Sequence, residues 1–230
     1  MHCFTLANSN HLDALFFRYA KWDGKTDCSC RLGSLPTPHL SVCTSTSSAT
    51  DPNTLAASLH RIHIIPWAQY IRRSIASSLQ MNKGSSLANT FAILRRSSRW
   101  ASIPTELYFY NVNVTSSMMH KPFSVSQFEL QRKDMERLFL LYQDVSPHLD
   151  LEWRVILKSF VVPQLKQFYN HLRRTKAQMN SADVAHALDI FSATLRFVFL
   201  KKNVPFGYIR MRQLMPFLIL IFFHTPREPL

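Results

Sequence analysis

In one stretch, from Met179 to Pro205, the start, periodicity and stop signals of a helix all agree, and this commits the C-terminal half of the chain to helix packing. Asn180 or Ser181 can cap it, Asp183 completes a short capping box from Asn180, and Met179 and Val184 are spaced to staple across the cap. Val184, Leu188, Phe191, Leu195 and Val198 then recur at steps of four, three, four and three, which lines them along one helical face. Lys201 and Lys202 complement the last carbonyls, Asn203 suits a left-handed cap, and Pro205 forbids continuation. The spacing predicts a helix of about five turns with a buried seam.

A second helix is predicted from Ser126, where Glu129 completes an S-x-x-E capping box and Val125 faces Leu130. Phe128, Met135, Phe139 and Tyr142 stand at offsets zero, seven, eleven and fourteen, as do Val184, Phe191, Leu195 and Val198. The shared grammar points to a repeated helix pair, with Phe128, Phe139, Phe191 and Leu195 buried. Between the two, Leu151 to Leu172 is helical in pattern but holds Pro163, where a kink or break is expected. If it only kinks, Arg154, Lys158, Lys166 and Arg173 fall within about a third of the circumference, and Arg174 and Lys176 extend the row. These six are the candidate nucleic-acid-binding residues; the plainer alternative is a solvated polar face.

Upstream the signals are weaker. Residues 1–52 read as loop-rich or disordered, with a short apolar cluster at Leu12, Leu15, Phe16 and Tyr19 in helical spacing and a Ser/Thr run from Thr44 to Thr50. From Pro52 to Thr105 there is no Asp or Glu, while arginines run through it, which is the composition of a mitochondrial presequence. Either the start lies too far upstream, with Met81 an alternative, or the segment is a folded basic surface. Helices are expected after Pro66, through Ile71, Ile75 and Leu79, and from Leu87 to Trp100. Leu107 to Val114 dissents: Tyr108, Tyr110, Val112 and Val114 alternate like a strand without an obvious partner, so strand and helix both stay open.

Only four glycines in 230 residues weigh against an all-β chain with many tight turns. Twenty-seven basic against fourteen acidic residues, a net charge of +13, favour a polyanionic partner. Cys28 and Cys30 lack the C-x-x-C spacing of zinc and redox sites, and free thiols in a reducing compartment are expected. The apolar run Leu214 to Phe223 is about half the ~20 residues needed to cross a bilayer and reads as a core helix. Asp183, His186 and Asp189 share a helix without a nucleophile motif nearby and read as solvated charges. His60 and His63 have no carboxylate close downstream, so no metal is assigned; no phosphate loop or hydrolase motif occurs, and neither a cofactor nor an enzymatic activity is assigned.

The run Met179-Asn-Ser-Ala-Asp-Val-Ala-His-Ala-Leu-Asp-Ile-Phe-Ser-Ala-Thr-Leu-Arg-Phe197 resembles the first helix of the repeats in FAST-kinase-like, octotricopeptide and heptatricopeptide proteins of mitochondria and plastids, which often end in a RAP domain. Ser126 to Tyr142 and Ser86 to Leu94 are similar, poorer copies; no RAP domain is visible. The resemblance implies organellar RNA binding in processing, stability or translation, with no base-reading residue carried across. The expectation is thus a mostly all-α protein: a loop-rich region over 1–52, then a helical-repeat array of antiparallel helix pairs over 53–230, cut short at its C-terminus. Its expected role is mitochondrial RNA binding, or else a non-catalytic structural or assembly part of a large organellar complex such as the mitochondrial ribosome.

Overall fold

The computed structural model describes residues 2–22, 40, 42–44, 57–62, 68–79, 86–111, 124–144, 151–175, 177, 179–209 and 211–224. The chain divides into two compact units, Met1–Lys121 and Pro122–Leu230. The first overturns the all-α expectation, because it is built on a four-stranded mixed sheet.

In the first unit, helix α1 (His2–Ser9) leads into strand β1 (Ala14–Trp22), followed by β2 (Val42–Thr44), β3 (Gln69–Ile71), α2 (Arg73–Ser78), α3 (Ser86–Arg96) and β4 (Arg99–Asn111). The sheet order is β2-β4-β1-β3. The central pair, β1 and β4, is parallel, and both edge strands run antiparallel to their neighbours. Parallel strands need long crossovers rather than two-residue hairpins, so a shortage of glycine never excluded this sheet. The cluster around Leu12 to Tyr19, read as helix or loop, is β1: Leu15 and Phe17 enter one apolar core with Ala7 and Ile103, while Phe16 lies edge-to-face with buried Trp100. Both faces of β1 are covered over its first four residues, where Ala14, Leu15, Phe16 and Phe17 form a continuous apolar run rather than an alternation. The ladder between β1 and β4 is irregular on both sides of exposed Arg18.

Asp13 ties the starts of β1 and β4 to the end of β3. Its backbone N–H donates to Arg99 O at 2.7 Å and its carbonyl accepts from Arg72 N–H at 2.8 Å. Its carboxylate accepts from the N–H groups of Ser98 and Arg99 at 2.8 and 3.2 Å and pairs with Arg72 at 3.1 Å. The helix expected after Pro66 is therefore replaced by β3 and the short α2, because Ile71 is drawn into pairing with Ala14. The open choice at Leu107 resolves to strand through Asn111, and the partner is β1, with Tyr108 opposite Tyr19. Val112 and Val114, the Ser/Thr run beyond Thr44, Met81, His63, and Cys28 with Cys30 lie outside the described residues; Cys43 is buried and Cys3 half-buried.

The second unit is helical: α4 (Val125–Leu141), α5 (Leu151–Ile156), a π turn (Leu157–Val161) running on into α6 (Val162–Thr175), α7 (Ser181–Arg196) ending in a second π turn (Phe197–Lys201), and α8 (Met211–Phe222). Phe128, Phe139, Phe191 and Leu195 are all buried, as the seams predict. Their arrangement is nevertheless a bundle. Phe191 on α7 meets Phe168 of α6 and Phe217 of α8, while α7 also packs along α4. In a repeat array each layer touches only its neighbours, whereas α7 here touches three helices, so the repeat expectation fails on packing even though both seams are real.

Local signals fared unevenly. Asn180 caps α7, its side chain accepting from Asp183 N–H at 2.8 Å while its amide donates to the Asp183 carboxylate at 2.9 Å. Asn203 takes the left-handed conformation at φ 52, as its place before Pro205 predicts. The cap of α4, however, lies two residues before Ser126: Ser124 N–H donates to Gln127 Oε1 at 2.9 Å. Glu129 is freed for Arg132, which bridges it and Glu136.

Candidate nucleic-acid interface

Pro163 neither breaks nor merely kinks its helix. Val162 N–H closes a π turn onto Leu157 O, and Pro163, which has no N–H to place, follows it as the second residue of α6. The resulting helix from Leu151 to Thr175 has 25 residues and a length of about 37 Å at 1.5 Å per residue.

The π turn matters because it inserts one residue into the helical path. Under a uniform α repeat, Leu165 would stand roughly 120° from Trp153 and roughly 80° from Leu157; with the extra residue, Trp153, Ile156, Leu157, Leu165, Phe168 and Leu172 share one buried side. The same correction gathers the cations. Arg154, Lys158, Lys166, Arg173 and Arg174 fall within an arc on the order of 100° on the outer side, whereas without it Arg174 would stand roughly 200° from Arg154. Arg154, Lys158, Arg173 and Arg174 are exposed and Lys166 is half-buried. Lys176 lies outside the described residues.

Among the described residues none of these five cations forms a salt bridge. The helix has one acidic residue, Glu152, and its carboxylate accepts from Tyr142 O–H at 2.7 Å, which draws it toward α4. The outer face therefore carries five positive charges with no ion-paired carboxylate among the described residues, which gives it a potential suited to a polyanion.

Beside the row lies a depression of about 300 Å³ lined by Pro163, Lys166, Gln167, Asn170, His171 and Arg174. Sequence reasoning named Lys166 and Arg174 but missed Gln167, Asn170 and His171, although their spacing on the same helical face was the available signal. Gln167 Nε2 lies 3.4 Å from His171 Nε2, a contact in which the amide donates to a neutral ring. Burial first, and then the positive charge of Arg174, hold the His171 imidazole below its ordinary pKa of 6.5. Two cations, two amides and a titratable ring thus line one shallow trough, a set that can hold phosphate oxygens and sugar hydroxyls.

A second polar cluster has the residue types of a hydrolase but not the geometry. Asp189, read as solvated, is buried and lies 2.6 Å from His224 Nε2. Ser192, on the same helix, is buried and donates its hydroxyl to Leu220 O at 2.6 Å, so it is spent on the backbone. Arg196 donates to Ile221 O at 2.8 Å and to His224 O. The cluster caps the C-terminal carbonyls of α8 with side chains from α7. Among the described residues no group of three or more His, Cys, Asp or Glu is placed to hold a metal, and no helix is long and apolar enough to cross a membrane.

No protein-family model, curated protein or solved structure matches the chain.

Proposed function

We propose that this chain is a non-catalytic RNA-binding protein of the mitochondrion, acting in RNA processing, stability or translation, and that the outer face of Leu151–Thr175 holds single-stranded RNA by its phosphates. The observation that carries the reading is the row Arg154, Lys158, Lys166, Arg173 and Arg174: five cations on one arc of a rigid helix, none of them in a salt bridge among the described residues. Cations that repel one another gain by neutralising a phosphate backbone, and the release of condensed counterions supplies the affinity. The groove along α6 adds amide donors beside that row without a base-reading array, so the binding favours charge and shape over sequence. The mitochondrial address is supported by the acid-free, arginine-bearing stretch from Pro52 to Thr105. A C-terminal fluorescent tag on the full chain checks it, and a purely nuclear or secreted signal rejects it.

The decisive measurement is the affinity of the full chain for a single-stranded RNA oligonucleotide across a salt series. Log affinity falls linearly with log salt, and the double variant Lys158→Glu, Lys166→Glu lowers the slope by roughly 0.7 for each phosphate no longer neutralised, at an unchanged melting temperature. An unchanged affinity and slope in that variant reject the interface and move the reading to a structural part of a large organellar complex.

A further inference from the structure

Helix α8 leaves an apolar ridge uncovered. Phe217 and Ile221 face the bundle and are buried, while Met215, Ile219, Phe222 and Phe223 are 63%, 51%, 58% and 79% exposed. At about 100° per residue these four lie within an arc of roughly 100°, so they form one continuous strip along the helix. Leu214 to Phe223 contains no polar residue, and the helix is therefore apolar on its outer side as well as its inner one.

We infer that α8 docks this chain onto an anionic lipid surface, lying in the plane of the membrane with Met215, Ile219, Phe222 and Phe223 inserted below the headgroups. Three independent features point to lipid as the occupant. The first is length: 12 helical residues cover about 18 Å, well short of a ~30 Å hydrocarbon core, so the helix can lie in the interface but not cross it.

The second feature is the state of its backbone. A helix end entering a medium without water must have its last carbonyls satisfied from within the protein. Here Ser192 fills that role for Leu220 O, and Arg196 for Ile221 O and His224 O, while Asp189 holds the His224 ring. The end that carries Phe222 and Phe223 thus has carbonyls already satisfied from within the protein.

The third feature is charge. From Ile190 to Arg227 there is no Asp or Glu, and besides Arg196, which is spent on the carbonyls of Ile221 and His224, the segment holds Lys201, Lys202, Arg210, Arg212 and Arg227. Lys201 is exposed beside exposed Leu200. An apolar helix whose neighbours in sequence are basic and lack acidic residues has the charge sign that matches an anionic headgroup layer. A second copy would instead bring a net charge of +13 against +13. The inference does not rest on RNA binding, which belongs to a different helix.

The test is co-sedimentation of the purified full chain with sucrose-loaded vesicles of phosphatidylcholine containing about one third phosphatidylserine, and with vesicles of phosphatidylcholine alone. The chain is expected to pellet with the anionic vesicles and much less with the neutral ones. The double variant Ile219→Ser, Phe223→Ser should bind at least about tenfold more weakly at an unchanged melting temperature. Phe223→Ser alone, at the most exposed position, gives the same direction with no burden on the fold, and Lys158→Glu with Lys166→Glu leaves vesicle binding intact. A chain that stays in the supernatant overturns the inference, as does pelleting that the ridge variants leave unchanged. A concentration-dependent dimer that the ridge variants dissolve, without vesicle binding, assigns the strip to a second copy and overturns it equally.

Discussion

His171 shows how one side chain connects the fold, the charge row and a ligand. Its ring is held in the neutral form by burial and by Arg174, so the folded chain takes up its proton at lower pH than the unfolded chain does. A depressed histidine contributes stability that is fully present above the unfolded value near 6.5 and is lost as pH falls from there through the folded value. His171→Gln should therefore flatten the acid limb of the stability profile just below 6.5 and leave neutral pH unchanged, which denaturant melts at several pH values can check. A phosphate seated between Lys166 and Arg174 acts in the opposite sense, since an anion beside the ring favours imidazolium. Titration of the ring by NMR should show its pKa rising when RNA is added, and RNA affinity should increase as pH falls through the same window. A pKa that RNA leaves in place would mean that no phosphate enters the groove.

At the scale of elements, what decides legibility is whether the deciding contact is local. The cap at Asn180 and the stop at Asn203 and Pro205 depend on groups a few residues apart, and both were readable. The sheet was not, because β1 becomes a strand only by meeting β4, with Leu15 opposite Ala101 across more than eighty residues. Short apolar runs such as Leu12 to Tyr19 satisfy both periods, and only a distant partner chooses between them. The cation row stands between these cases. Its members were legible, but its alignment depends on the π turn, which the phase slip between Leu157 and Leu165 and the position of Pro163 required together. Deleting Ser159 removes that inserted residue. It then either rotates Leu165, Phe168 and Leu172 away from the core or sets the Pro163 ring against a helical carbonyl. Phe168 stacks on Phe128 at 4.4 Å, so the deletion should cost on the order of 3 kcal/mol or more, whereas Pro163→Ala at this exposed site should change little. Equal denaturation midpoints for the deletion and the parent chain would mean that the π turn does not set the phase.

For the whole molecule the two units differ in what holds them. The first depends on strand pairs far apart in sequence, fastened at Asp13, while the second is a bundle whose aromatic contacts run from Phe128 through Phe168 and Phe191 to Phe217. Each has its own buried core, which is the property that lets a segment fold alone. The basic helix and the α8 ridge both belong to the second unit, so the two proposed surfaces should travel with it. A fragment spanning Pro122–Leu230 should therefore show a helical far-ultraviolet spectrum and a single cooperative melt, with a stability within the usual ~5–15 kcal/mol range. It should keep the RNA affinity of the full chain within about threefold once compared at equal ionic strength, because phosphate contacts made by one face carry their own counterion release. Arginines of the first unit, including exposed Arg73, Arg96 and Arg99, provide the competing surface. A folded fragment whose affinity drops by orders of magnitude would transfer the main polyanion contact to those residues and leave the Leu151–Thr175 face a secondary one.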